Sequence, residues 1–170
     1  MYFREFPLYE YDFTGVGQNA KLVTDILRRV AIRSKVRANT LVFDKYDVVN
    51  GETPEIVADK YYGSTEYHWI VVLMNDITNW FDWPLDDVSY MKYLKNKYGD
   101  NIDGVHHYEV NQTSGDTTIK LEVSSDTSGA TVVTNREYED RLQDEKRQIR
   151  LLDVNYLGIF VEEFKKIIKR

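Results

Sequence analysis

Acid–base, nucleophilic and metal chemistry each need a few side chains of the right type at the right spacing, and this 170-residue chain offers few of them. It has three histidines, His68, His106 and His107, and no cysteine. On a regular strand His106 and His107 point to opposite faces, so scattered imidazoles do not add up to a metal site. Without Cys there is no disulfide, thiolate ligand or thiol nucleophile. A glycosidase-type pair such as Asp86 with Glu109 requires a defined carboxyl separation that sequence does not place. Among 28 acidic residues, solvated charge is the simpler role for both. Asp126-Thr127-Ser128-Gly129 is too short for a nucleophile motif and has no identifiable His partner. Gly15-Val16-Gly17 lacks the third Gly and the buried strand of a phosphate loop, and reads as a turn. No catalytic, cofactor-binding or metal-binding residue is therefore assigned, and no enzyme is expected.

What the chain has in quantity is aromatic surface. The 13 Tyr, 7 Phe and 3 Trp are residue types that anchor protein contacts, although for any one Tyr the rim of a small core is the simpler place. The candidate partner-contact residues are Phe3, Phe6 and Tyr9 in the N-terminal arm, Trp80 and Trp83 mid-chain, and Phe160, Phe164 and Ile168 near the end. A net charge of −6 argues against nucleic acid, and the basic run from Arg28 to Arg37 reads as a solvated face. The opening MYFREFPLYEYDF has no basic start followed by an apolar run, so no secretory leader is expected. No stretch is long and apolar enough for a membrane span.

The elements that must carry these residues centre on Leu41 to Ile77. Leu41 to Val49 is rich in β-branched and aromatic residues and reads as a strand ending in the turn Asn50-Gly51. Thr53 and Pro54 open a helix that Gly63 closes. Ser64 or Thr65 opens a second helix, apolar on every side through Met74, which should therefore be buried on every side. This order, with Glu52 after the turn and Asn75 closing the second helix, resembles a LysM module. That resemblance implies that Ile56 and Ala58, on the first helix, face the sheet.

Elsewhere, Met1 to Phe13 alternates aromatic and polar groups and reads as extended, with Tyr9, Tyr11 and Phe13 on one side. Val23 to Val30 is expected as a short helix after Thr24 or Asp25, and Ala31 to Asn39 as extended. Asp86 or Asp87 caps a helix over 86–98 with Val88, Met91, Leu94 and Tyr98 on one stripe. Val105–Asn111 and Thr117–Val123 form a hairpin, with a possible third strand at Thr131–Val133. Thr134 and Glu137 make a capping box for a mostly solvent-facing helix over 135–147. Gln148 to Leu152 is a candidate second LysM strand, returning to pair with Leu41 to Val48. The last helix, 154–170, carries Leu157, Phe160, Val161, Phe164, Ile167 and Ile168 as one apolar stripe, which either closes the core or meets a partner.

The fold expected is α+β: an N-terminal arm and linker (1–40), a LysM-like βααβ domain (41–153) with inserted helix 86–98, hairpin 105–123 and helix 135–147, and a C-terminal amphipathic helix. The aromatic arm, Tyr67-His68-Trp69, Asn75-Asp76-Ile77, His107-Tyr108-Glu109, the run Val133 to Glu139, and Asp144 to Leu152 follow one another in an order similar to the LysM-containing baseplate wedge subunits of contractile-tailed bacteriophages. That resemblance implies a structural part of the tail baseplate, assembled in the host cytoplasm. It implies several copies in a sixfold ring, in contact with other wedge proteins and sheath-initiator-type tail proteins. The alternative is a LysM-type peptidoglycan (N-acetylglucosamine) binding module using the turns at 51–53 and 75–78. Against that stand the single LysM copy, the lack of a leader and the bulky aromatic stretch after Asn75.

Overall fold

In a computed structural model that describes residues 2–12, 14–15, 20–32 and 40–169, the chain forms two compact units. Unit 1 comprises residues 1–48, 52–82 and 149–170, and unit 2 comprises 49–51 and 83–148.

Unit 1 opens with a 3-10 turn, Tyr2–Glu5, and a hairpin of β1 (Leu8–Asp12) and β2 (Ala20–Thr24), paired antiparallel from Leu8↔Thr24 to Asp12↔Ala20. The helix expected from Val23 is not formed. Val23 and Thr24 are β-branched and pair with Tyr9 and Leu8, and the Asp25 carboxylate accepts from the Leu27 N–H in a turn just beyond. Phe13, Val16 and Gly17, and residues 33–39 of the expected extended stretch, lie outside the described residues.

A 3-10 turn over Thr40–Val42 shortens the expected strand to β3, Phe43–Asp47. Helix α1 (Pro54–Tyr62) starts at Thr53, whose hydroxyl accepts from Ile56 N–H, and stops at Gly63 with φ +73°. That is a left-handed conformation in which Gly carries no Cβ penalty. Val57 and Ala58 are the buried pair of this helix, so of the expected Ile56–Ala58 pair Ala58 is buried while Ile56 is exposed and Val57 takes its place. Ser64 caps a short 3-10 turn (Thr65–Tyr67) that leads into α2 (His68–Met74). Of the seven residues of α2, Ile70, Val71 and Met74 are buried and the other four are half-buried, so the burial expected on every side is met only in part.

Strand β7 (Gln148–Leu152) pairs with β3, which joins the two ends of a β–α–α–β order across a long sequence separation. The Asn75 side chain ties α2 to β7: its amide donates to the carbonyls of Val71 (2.9 Å) and Arg150 (2.8 Å), and its oxygen accepts from Arg150 N–H (2.9 Å). Helix α5 (Val154–Ile168) begins at Asp153. Its Phe164 and Ile168 bury with Phe6, and Trp69 packs beside them at 4.5 Å from the Phe164 ring. Burying each such side chain contributes about 1.5–3 kcal/mol before ordering costs.

Unit 2 holds α3 (Asp87–Tyr98), capped by the Asp86 carboxylate, the sheet β5-β4-β6 (Lys120–Val123, Val105–Asn111, Thr131–Thr134), and α4 (Asn135–Arg147) behind the expected capping box. Of the stripe expected on α3, Leu94 is buried but Val88 and Met91 are exposed. Helix α4 is not the mainly solvated rod that its sequence suggests. Asn135, Glu139 and Gln143, one helical turn apart, are buried in a row.

Candidate functional site

Polar clusters were the first candidates for chemistry, and the strongest lie in unit 2. Glu109, on β4, is buried and accepts two hydrogen bonds of 2.9 Å from the Arg141 guanidinium, with Lys120 at 3.8 Å and His107 at 3.7 Å. The Arg141 hydrogen bonds hold its carboxyl below the usual range, against the opposing pull of burial. Glu139, on α4, is 2% exposed and accepts from Lys97 Nζ (2.5 Å), Tyr98 (2.8 Å) and Tyr93 (3.2 Å). Burial pushes its carboxyl up, but these donors, Lys97 foremost, bring the balance below the ordinary value. Both carboxylates are saturated by protein donors, which suits holding a fold better than moving a proton.

Asp86 is spent as a helix cap, accepting from Val88 and Ser89 N–H at 3.0 Å, so the Asp86–Glu109 pairing has no free acid to offer. His106 and His107 do not splay to opposite faces. The β4–β6 register slips between Val105 and His107, and this irregularity turns the two rings together, with Nδ1 atoms 2.8 Å apart and His106 stacked 3.9 Å from Tyr138. Among the described residues no three His, Asp or Glu side chains are grouped to hold a metal ion.

The other candidate is surface in unit 1. The β1–β2 hairpin is exposed on both faces: Leu8 is 61% and Leu22 67% exposed, and Tyr9 and Tyr11, with rings 6.2 Å apart, are open to solvent as well. A two-stranded ribbon is marginal by itself, so one with this much uncovered apolar area is poorly accounted for by the unit that bears it. Phe3 and Trp80, 56% and 70% exposed, add to the same unit's uncovered aromatic surface. On α5, Ile159 and Ile167 line a trough of about 390 Å3 together with Val30, Ile32 and Val42.

The model of the phage family Base plate wedge protein 53 matches residues 1–167. The chain belongs to that family. No curated protein matches it. As a base plate wedge protein it is a structural component of the phage tail baseplate and associates with other baseplate proteins.

For a base plate wedge protein the question about the eight predicted contact residues is which of them are available to a neighbour. Phe6, Phe164 and Ile168 are buried in one cluster of unit 1, with Phe160 half-buried on the adjoining one, and Trp83 is buried in unit 2. Phe3, Tyr9 and Trp80 present surface. The exposed residues that sequence reasoning left out include Leu8, Tyr11 and Leu22 of the hairpin. Their signal was two short runs of strand-forming residues around a Gly-containing turn, obscured by reading Val23 onward as a helix.

Proposed function

We propose that the chain links neighbouring wedge proteins of a contractile phage tail into the baseplate ring, and that the β1–β2 hairpin is its principal grip. The carrying observation is the hairpin itself: Leu8, Tyr9, Tyr11 and Leu22 lie exposed on a two-stranded ribbon that lacks a third strand or a covering layer among the described residues. Burying a handful of such side chains at about 1.5–3 kcal/mol each is enough, after ordering costs, for a lasting contact. Phe3, Tyr9 and Trp80 extend the adhesive surface, while Phe6, Phe160, Phe164, Trp83 and Ile168 shape the units that carry it. The sixfold setting, the sheath-initiator-type neighbours and assembly in the host cytoplasm belong to the same reading.

We also read β3–α1–α2–β7 as a LysM-like core, with the segment between α2 and β7 as an insertion and the arm and last helix as additions. The pairing of β3 with β7 and the Asn75 strap support it. Glycan binding by that core has less behind it. Asn75 is engaged in three internal hydrogen bonds, and Asn50, beside the other turn, exchanges hydrogen bonds with Asp87 at 2.6 and 3.1 Å.

The test is assembly with a hairpin variant. Tyr9→Ser with Leu22→Ser alters exposed side chains, so the purified chain should keep its circular dichroism and melting midpoint while its incorporation into tails falls at least tenfold. Wild-type incorporation would remove the hairpin from the function. Retention of the wild-type chain on insoluble peptidoglycan would favour the glycan reading instead.

A further inference from the structure

Helix α5 bears a second apolar row besides the one it buries. Ile159, Glu163 and Ile167 follow one another at four-residue spacing, so they stack along one side of the helix. They line the trough together with Val30, Ile32 and Val42. Ile159 is 68% exposed, so this row is uncovered in the chain. Among the described residues Glu163 is the one charged residue lining the trough, and it has no ion pair or hydrogen bond with any of them. Its neighbours are treated differently: Glu162 pairs with Lys165 at 3.2 Å, and Glu5 with Lys169 at 3.7 Å.

Resting on the linking function proposed above, we infer that this trough seats an apolar segment of another baseplate protein that carries a Lys or Arg placed to pair with Glu163. The charge decides the partner's chemistry. A segment that covered Ile159 and Ile167 would also cover Glu163, and a buried carboxylate is tolerated when a cation and further donors meet it. An acidic or wholly apolar segment would strand that charge. A second copy of this chain fits poorly as well. Two-fold packing of this row about its centre sets Glu163 against Glu163, and the two chains together carry net charge of the same sign.

The experiment uses assembled tails. With Ile159→p-benzoylphenylalanine in the chain, irradiation is expected to crosslink position 159 to an apolar segment of a different baseplate protein with a Lys or Arg within it. Glu163→Lys is expected to cut incorporation at least tenfold and Glu163→Gln by less. The helix content and melting midpoint of both purified variants should match wild type. A crosslink to another copy of this chain, a crosslink to an acidic segment, the absence of any crosslink from 159, or wild-type incorporation of Glu163→Lys would each overturn the inference. A parallel Tyr9→p-benzoylphenylalanine chain separates the two levels. Crosslinking from 9 but not 159 leaves the linking function standing, and absence of the chain from purified tails removes both.

Discussion

Two buried carboxylates set the character of unit 2, and removing their partners should show what they hold. Lys97→Met leaves Glu139 buried with the Tyr93 and Tyr98 hydroxyls but no cation. A buried charge stripped of its counter-ion costs about 3–5 kcal/mol, whereas Arg136→Ala, which breaks the exposed pair with Asp103, should cost at most about 1 kcal/mol. Hydrogen exchange of the α4 amides measures both. The same groups fix the sign of the acid response. Arg141 holds Glu109 low, and Lys97 with the two tyrosines outweighs burial at Glu139, so both folded carboxyls titrate below their unfolded value of about 4.3. Their stabilisation is thus complete above that pH and lost as pH falls through the lower folded values. Protection of α4 should stay flat from pH 7 to about 5 and decline below about 4, and in Lys97→Met, where burial at Glu139 is no longer outweighed by a cation, the part of that decline due to Glu139 should shrink or reverse.

Among the elements, α5 holds a residue that its own fold does not require. Gly158 sits inside the helix where an added Cβ would meet nothing within 4 Å, so Gly158→Ala should raise stability by about 0.5–1 kcal/mol, read as a higher urea midpoint. Elements with local signals were legible in the sequence: Thr53 with Gly63, the Thr134–Glu137 capping box, and the stripe ending in Phe164 and Ile168 act within a few residues of themselves. The β3–β7 pairing was expected because the order from Leu41 to Asn75 resembles a LysM module, which implies a second strand returning to the first. What stayed hidden depended on distant neighbours. Strand β2 exists because β1 pairs with it, overriding a weak local helix pattern, and the buried row of α4 is polar, so hydrophobic spacing could not mark it. The His106–His107 approach follows from a register slip that no two-residue alternation announces. Of the contact residues, aromatic type was readable but exposure was not: Phe3 and Phe6 are three residues apart, and one is open while the other is buried.

For the molecule as a whole, membership of the base plate wedge family and the exposed apolar surface of unit 1 agree with the proposed linking role. The chain has donors and acids arranged to hold structure, and apolar groups left exposed. A reconstruction of the intact tail, at a resolution that shows side chains, tests the linking role most directly. It should show this chain in the baseplate with Leu8, Tyr9, Tyr11 and Leu22 covered by a neighbouring wedge protein. A tail in which the chain is present but its hairpin stands in solvent, or in which the chain is missing, would contradict it.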